Sequence, residues 1–128
     1  MLSAHVRGRI LVVEDNRAIR DLVVLILQQS GYHVCAVGCG SEAYDVAARQ
    51  EFELAIIDIG LPDIDGFEVA ANLDVAGLLV SGDPASYRVR AAELPSGWQF
   101  MQKPYRIPEF LRMVALMLET PMTRQTES

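Results

Sequence analysis

The chain has 128 residues, 51% of them hydrophobic and 22% charged, with a formal charge of −6. Such a length and balance fit one globular domain with room for a core, and an acidic surface argues against a nucleic-acid footprint. The apolar runs are too short to span a membrane and MLSAHVRGR lacks the apolar stretch of a signal peptide, so a cytoplasmic protein is expected.

Apolar runs alternate with amphipathic stretches along the whole chain. ILVV (10–13) reads as a strand buried on both faces. A helix follows with Ile19, Leu22, Val23 and Ile26 on its inner face, Asn16 as cap and Ser30-Gly31 as stop. HVCAV (33–37) is the second predicted strand, and 41–50 a helix opened by Ser41. His33, Cys35 and Cys39 have no fourth ligand nearby, so free thiols are expected rather than a zinc site. LAII (54–57) is a third strand, followed by a loop and a short helix near FEVAANL. GLLVS (77–81) is a fourth strand, 85–93 a fourth helix and WQFM (98–101) a fifth strand. The last helix runs from about Pro108 to Glu119, with Phe110, Leu111, Val114 and Leu118 on one face. Residues 121–128 are expected to form a loose polar tail after a single domain over 1–120. The alternation predicts an α/β fold: a doubly wound five-stranded parallel sheet, order 2-1-3-4-5, between two helical layers.

Polar residues fall at the ends of these strands. The first ends in Glu14-Asp15, the third in Asp58, the fourth in Ser81 and the fifth in Lys103. Parallel strands open these ends on one edge, where doubly wound folds bind ligands. Taken singly, each has an ordinary explanation as a turn former, helix cap or surface residue; four at four strand ends point to a site. Three converging carboxylates repel one another and call for a cation, and an all-oxygen set suits Mg²⁺. Lys103, the Ser81 hydroxyl and the backbone N–H of Gly82 would add a phosphoryl clamp, with a carboxylate as nucleophile.

These segments resemble the receiver domain of two-component response regulators over about Arg9 to Glu119. ILVVEDN is similar to the acidic-pair motif, AIIDIGLPDIDGFE to the phosphoacceptor strand, LLVSGD to the switch-hydroxyl strand and FMQKPY to the lysine strand. The resemblance implies a flavodoxin-like receiver fold in which Asp58 accepts a phosphoryl group from a phosphohistidine of a sensor kinase or phosphotransfer protein. It implies that Glu14, Asp15 and Asp58 hold Mg²⁺ together with the carbonyl of Gly60, and that Lys103 pairs with phosphoryl oxygens before a cis Lys103–Pro104 bond. Ser81 would move toward the phosphoryl group and Phe100 turn inward. A downstream protein would then read the face made by the fourth helix, fifth strand and last helix, where Arg88, Arg90, Gln102 and Arg106 are candidates. The interval from Gly66 to Ser81 is short for this pattern, Ser81 stands where Thr is commoner, and Phe100 lacks a tyrosine hydroxyl. The chain would be a phosphoacceptor switch, not an enzyme with turnover, and a partner for proteins rather than nucleic acid or membrane.

No helix-turn-helix or catalytic segment follows Glu119 in this sequence, so output through protein contacts or phosphate relay is expected. The start MLSAHVRGR favours a stand-alone or N-terminal receiver over one excised from a hybrid kinase or a larger regulator. The alternative of a Mg²⁺-dependent phosphohydrolase rests on DIDG (63–66), but Asp63 follows Leu61-Pro62 instead of an apolar strand. A flavodoxin-type nucleotide site would need a phosphate-gripping loop where Glu14-Asp15-Asn16 stands.

Overall fold

The apolar runs of the three central strands are covered on both faces. In the computed structural model, which describes residues 8–83, 85 and 90–127 (120–127 by backbone alone), five strands pair in parallel in the order β2-β1-β3-β4-β5. They are β1 (Arg9–Val13), β2 (His33–Val37), β3 (Leu54–Asp58), β4 (Gly77–Ser81) and β5 (Trp98–Gln102). Among the described residues the α-helices are α1 (Arg17–Gln29), α2 (Gly40–Arg49), α3 (Gly66–Asn72) and α4 (Ile107–Glu127).

The two-residue repeat of the strands divides the core between two layers. Ile10, Val12, Leu54, Ile56, Leu78 and Val80 pack with Val23 and Leu27 of α1 and Phe110, Val114 and Met117 of α4. Their neighbours Leu11, Val13, Ala55, Ile57 and Leu79 pack with Ala43 of α2 and Phe67, Val69 and Ala70 of α3. Burying a side chain of this kind contributes about 1.5–3 kcal/mol, so β1, β3 and β4 are held from both sides.

Several local expectations need correction. Leu22 of α1 is 52% exposed, and Leu27 takes the core position instead; the helix is rotated so that Val23 and Leu27, four apart, face the sheet. Asn16 does cap α1, accepting from Ile19 N, and Gly31 (φ 96°) ends it with N–H bonds from Gly31 to Gln28 and from Tyr32 to Leu27. Ser41 does not open α2: Cys39 is the cap residue but makes no side-chain capping bond, and the capping acceptor comes from a distant loop described below. Residues 86–89 of the helix expected over 85–93, Arg88 among them, lie outside the described residues; its end, Ala91–Glu93, is a 3-10 turn. Helix α4 continues to Glu127, past the expected end near Glu119, with Pro121 inside it.

The short α3–β4 connection is matched by a tryptophan. Trp98 is buried and its Nε1 donates to the Val75 carbonyl at 3.0 Å. The indole lies over Gly77, where an added Cβ would stand 2.5 Å from the ring and 2.4 Å from the Ala55 carbonyl oxygen. Glycine at 77 is therefore demanded by close approach, not by backbone angle.

Candidate functional site

Ladder bonds carry the sheet register one residue past each strand and fix where the polar groups begin. Glu14 N donates to Val37 O at 3.1 Å, Ile59 N to Val80 O at 2.9 Å and Lys103 N to Ser81 O at 2.8 Å. The result is convergence: carboxylate oxygens of Glu14, Asp15 and Asp58 all lie within 4.8 Å of one another. Lys103 reaches them from β5, with Nζ 3.0 Å from Glu14 Oε1 and 3.6 Å from Asp58 Oδ2. The second Glu14 oxygen accepts from Asn16 N at 3.2 Å, and Asp58 Oδ1 accepts from Gly60 N at 3.2 Å. The Lys103–Pro104 peptide is cis.

The remaining expected residues surround this cluster in different ways. Ser81 is buried, and its hydroxyl belongs to its own turn, accepting from Asp83 N at 3.0 Å. Gly60 and Gly82 are exposed, and among the described residues nothing lies within 4 Å of where a Cβ would stand at either. Phe100 is half-buried against the α2–α3 layer. Gln102 and Arg106 are exposed, whereas Arg90 is engaged within the fold.

Electrostatics follow from crowding acids beside one ammonium. Burial pushes the Glu14 carboxyl up, against the lowering pull of its Lys103 and Asn16 hydrogen bonds, and the Asp58 charge adds to the rise. Burial works to lower Lys103, but the Glu14 hydrogen bond and the Asp58 and Glu14 charges outweigh it and hold the ammonium protonated. A cluster this rich in negative charge, offering only carboxylate oxygens, has the donor chemistry of a hard divalent cation. Both Glu14 oxygens already have protein donors, and Asp58 is engaged by Gly60 N and by Lys103, so Asp15 is the freest of the three ligands.

Five further residues, Asp63, Asp65, Gly66, Arg90 and Arg20, shape the site. In the loop after β3, Asp63 accepts from Gly40 N at 2.8 Å and Ser41 N at 2.9 Å, supplying the cap that Cys39 does not. Asp65 caps α3 by accepting from Phe67 N at 2.9 Å. Its place could have been found from sequence, since Asp65 and Glu68 have the spacing of a capping box. Both aspartates of DIDG are thus structural caps, which counts against a phosphohydrolase nucleophile there. Gly66 packs so closely on β3 that an added Cβ would stand 2.6 Å from the Asp58 carbonyl oxygen. Arg90 pairs with Asp65 and with Glu93 (2.7 Å), its guanidinium 4.2 Å from the Phe67 ring centroid, tying the segment before β5 to the start of α3. Arg20 of α1 donates from Nη1 to the Glu14 carbonyl at 2.9 Å.

Beside Lys103 opens an apolar groove of about 540 Å³, lined by Ile19, Leu22 and Ile26 of α1 and by Pro104, Tyr105 and Ile107. A second hollow of about 440 Å³, with Leu11, Phe52, Leu73 and Val75 in its wall, lies at the opposite edge and takes no part in the acid cluster. No helix among the described residues is long and apolar enough to cross a membrane.

The comparisons with known proteins agree with this geometry. A family model described as "Response regulator receiver domain" matches residues 10–115. "Response regulator MprA" of Mycobacterium avium (strain 104) is 33% identical over 127 residues, which cover 94% of this chain and 55% of that protein. The chain therefore spans about half the length of this curated relative. Among solved structures, response regulator protein TrrA from Thermotoga maritima in complex with Mg²⁺-BeF is 29% identical, with a TM-score of 0.76 over 85% of this chain and 97% of that one. The signal receiver domain of an HD domain-containing protein from Pseudomonas fluorescens Pf-5 matches with a TM-score of 0.85 at 22% identity, over 97% of this chain and 96% of that one. With the matching segments running from β1 into the last helix, the chain belongs to the response regulator receiver domain family.

Proposed function

We propose that this receiver takes a phosphoryl group onto Asp58 from a phosphohistidine of a sensor kinase or phosphotransfer protein. The observation that carries the reading is the convergence of Glu14, Asp15 and Asp58 with Lys103 at 3.0 and 3.6 Å. An Asp58 oxygen attacks phosphorus in line with the N–P bond; that bond breaks, its electron pair stays on the imidazole nitrogen, and an acyl phosphate results. Lys103 lies where it would meet the phosphoryl oxygens, and exposed Gly60 and Gly82 put no side chain of their own in the way. Mg²⁺, held by Asp15 and Asp58 with the Gly60 carbonyl and by Glu14 through water, would supply the positive charge that offsets the incoming phosphoryl group. The TrrA complex with Mg²⁺-BeF supports the same ion for this chain.

Charge added at Asp58 would draw the Ser81 hydroxyl out of its turn with Asp83 and repack β4 and the segment up to β5, with Phe100 moving inward. The partner would read the altered face around β5 and α4, where Gln102 and Arg106 are exposed. Because the chain spans about half of its curated relative, that partner can lie in the same polypeptide or in another. The phosphodonor is proposed to dock in the groove beside Lys103, where exposed Leu22 and Ile107 offer an apolar seat for a helix.

Intact-mass analysis after incubation with acetyl phosphate and MgCl₂ tests this reading. One phosphoryl group per chain, lost with EDTA, is expected; continuous release of phosphate from esters would sink it. Leu22→Glu should slow transfer from a phosphohistidine protein and leave labelling by acetyl phosphate unchanged.

A further inference from the structure

Of the three carboxylates, Asp15 is the one the fold grips least. It is exposed, while Glu14 is buried and Asp58 half-buried. Among the described residues its carboxylate has no hydrogen bond from the protein, so its direction depends on the peptide that precedes it. Glu14 is held on both sides: its N–H, in the preceding peptide, donates to Val37 O in the ladder, and its carbonyl, in the peptide shared with Asp15, accepts from Arg20 Nη1 at 2.9 Å.

Gly38, in the β2–α2 connection, makes this reach possible. A Cβ there would stand 3.1 Å from Arg20 Nη1 and 3.9 Å from Cζ. The backbone gives no other reason for glycine, since positive φ values occur only at Gly8, Gly31 and Gly97 among the described residues. The missing side chain at 38 and the guanidinium that fills its place are one feature.

We propose that Arg20 is a positioning residue for the divalent-ion site, fixing the Glu14–Asp15 peptide so that Asp15 faces Asp58, with Gly38 keeping its room. This rests on the Mg²⁺ reading above. Charge and positioning act in opposite directions here. A guanidinium beside a cation site repels the cation, so charge alone makes loss of Arg20 tighten binding. Support of a ligand through its backbone makes the same loss weaken binding.

An NMR titration with MgCl₂, following the amides of residues 14, 15 and 58, separates the two in wild type, Arg20→Ala, Gly38→Ala and the double variant. Positioning predicts a Kd raised about 10-fold in Arg20→Ala. It predicts a smaller rise in Gly38→Ala, whose Cβ pushes the guanidinium by a few tenths of an ångström, and no added effect of Gly38→Ala once Arg20 is gone. An unchanged or lower Kd in Arg20→Ala overturns the inference, as does a Gly38→Ala effect that is absent or that persists in full without Arg20. Wild-type protein with no shift at residues 15 and 58 would overturn the Mg²⁺ reading and this inference together.

Discussion

Replacing Lys103 by Met removes the ammonium and keeps the apolar stem that lines the groove. With an effective dielectric near 20, one charge pair at 3.0 Å and another at 3.6 Å have gross attractions of roughly 5 kcal/mol each. Most of this is offset by taking the ions out of water. Glu14 is nearly buried and Lys103 only 20% exposed in its side chain, so breaking the pairs costs about 3 kcal/mol net. For a chain of 128 residues that lowers the melting midpoint by about 10 °C. The sign with pH is fixed by two raised groups. Lys103 stabilises fully below its ordinary value of 10.5 and loses that contribution as pH rises through its higher folded value. Glu14, raised from 4.5, takes up its proton early as pH falls and then no longer needs a counter-charge. The penalty of Lys103→Met is therefore largest near neutrality, shrinks toward about pH 4, and shrinks at neutral pH when MgCl₂ is added. Urea unfolding followed by the fluorescence of Trp98, the single tryptophan and buried, measures it. A loss below about 1 kcal/mol at neutral pH without Mg²⁺, or one indifferent to both pH and Mg²⁺, would refute the reasoning.

Two other substitutions probe the scaffold around the site. Gly66→Ala meets backbone atoms at 2.6 Å, so a cost of about 3 kcal/mol is expected in urea unfolding, together with slower labelling by acetyl phosphate because Asp58 is displaced. Asp63 is held below its ordinary 3.8 by the Gly40 and Ser41 N–H groups; its contribution is present above that value and lost as pH falls through the lower folded one. The melting-point difference between wild type and Asp63→Ala should accordingly be steady at neutral pH and close in acid, and a difference that grows in acid would contradict the capping role.

What was legible in the sequence is what local pattern dictates. Strands buried on both faces read as unbroken apolar runs, and groups at their ends must share an edge once the strands are parallel, so β1, β3, β4 and β5 delivered the acid cluster and Lys103 together. Pairings set by tertiary approach left no such trace. Ser41 has the chemistry of a cap, but Asp63, more than twenty residues on, reaches the α2 N-terminus first. Leu22 fits an inward stripe by periodicity, yet the groove beside Lys103 keeps it in water. Arg20 and Gly38 give no signal in the sequence, because the acceptor of Arg20 is a backbone carbonyl and the guanidinium comes to Gly38 from a different element.

The direct measurement is the position of the label. Protein treated with acetyl phosphate and MgCl₂, reduced with borohydride and digested, should show the reduced acyl phosphate at residue 58 alone, with none in Asp58→Asn. Reduction at another carboxylate, or equal labelling of Asp58→Asn, would contradict the account.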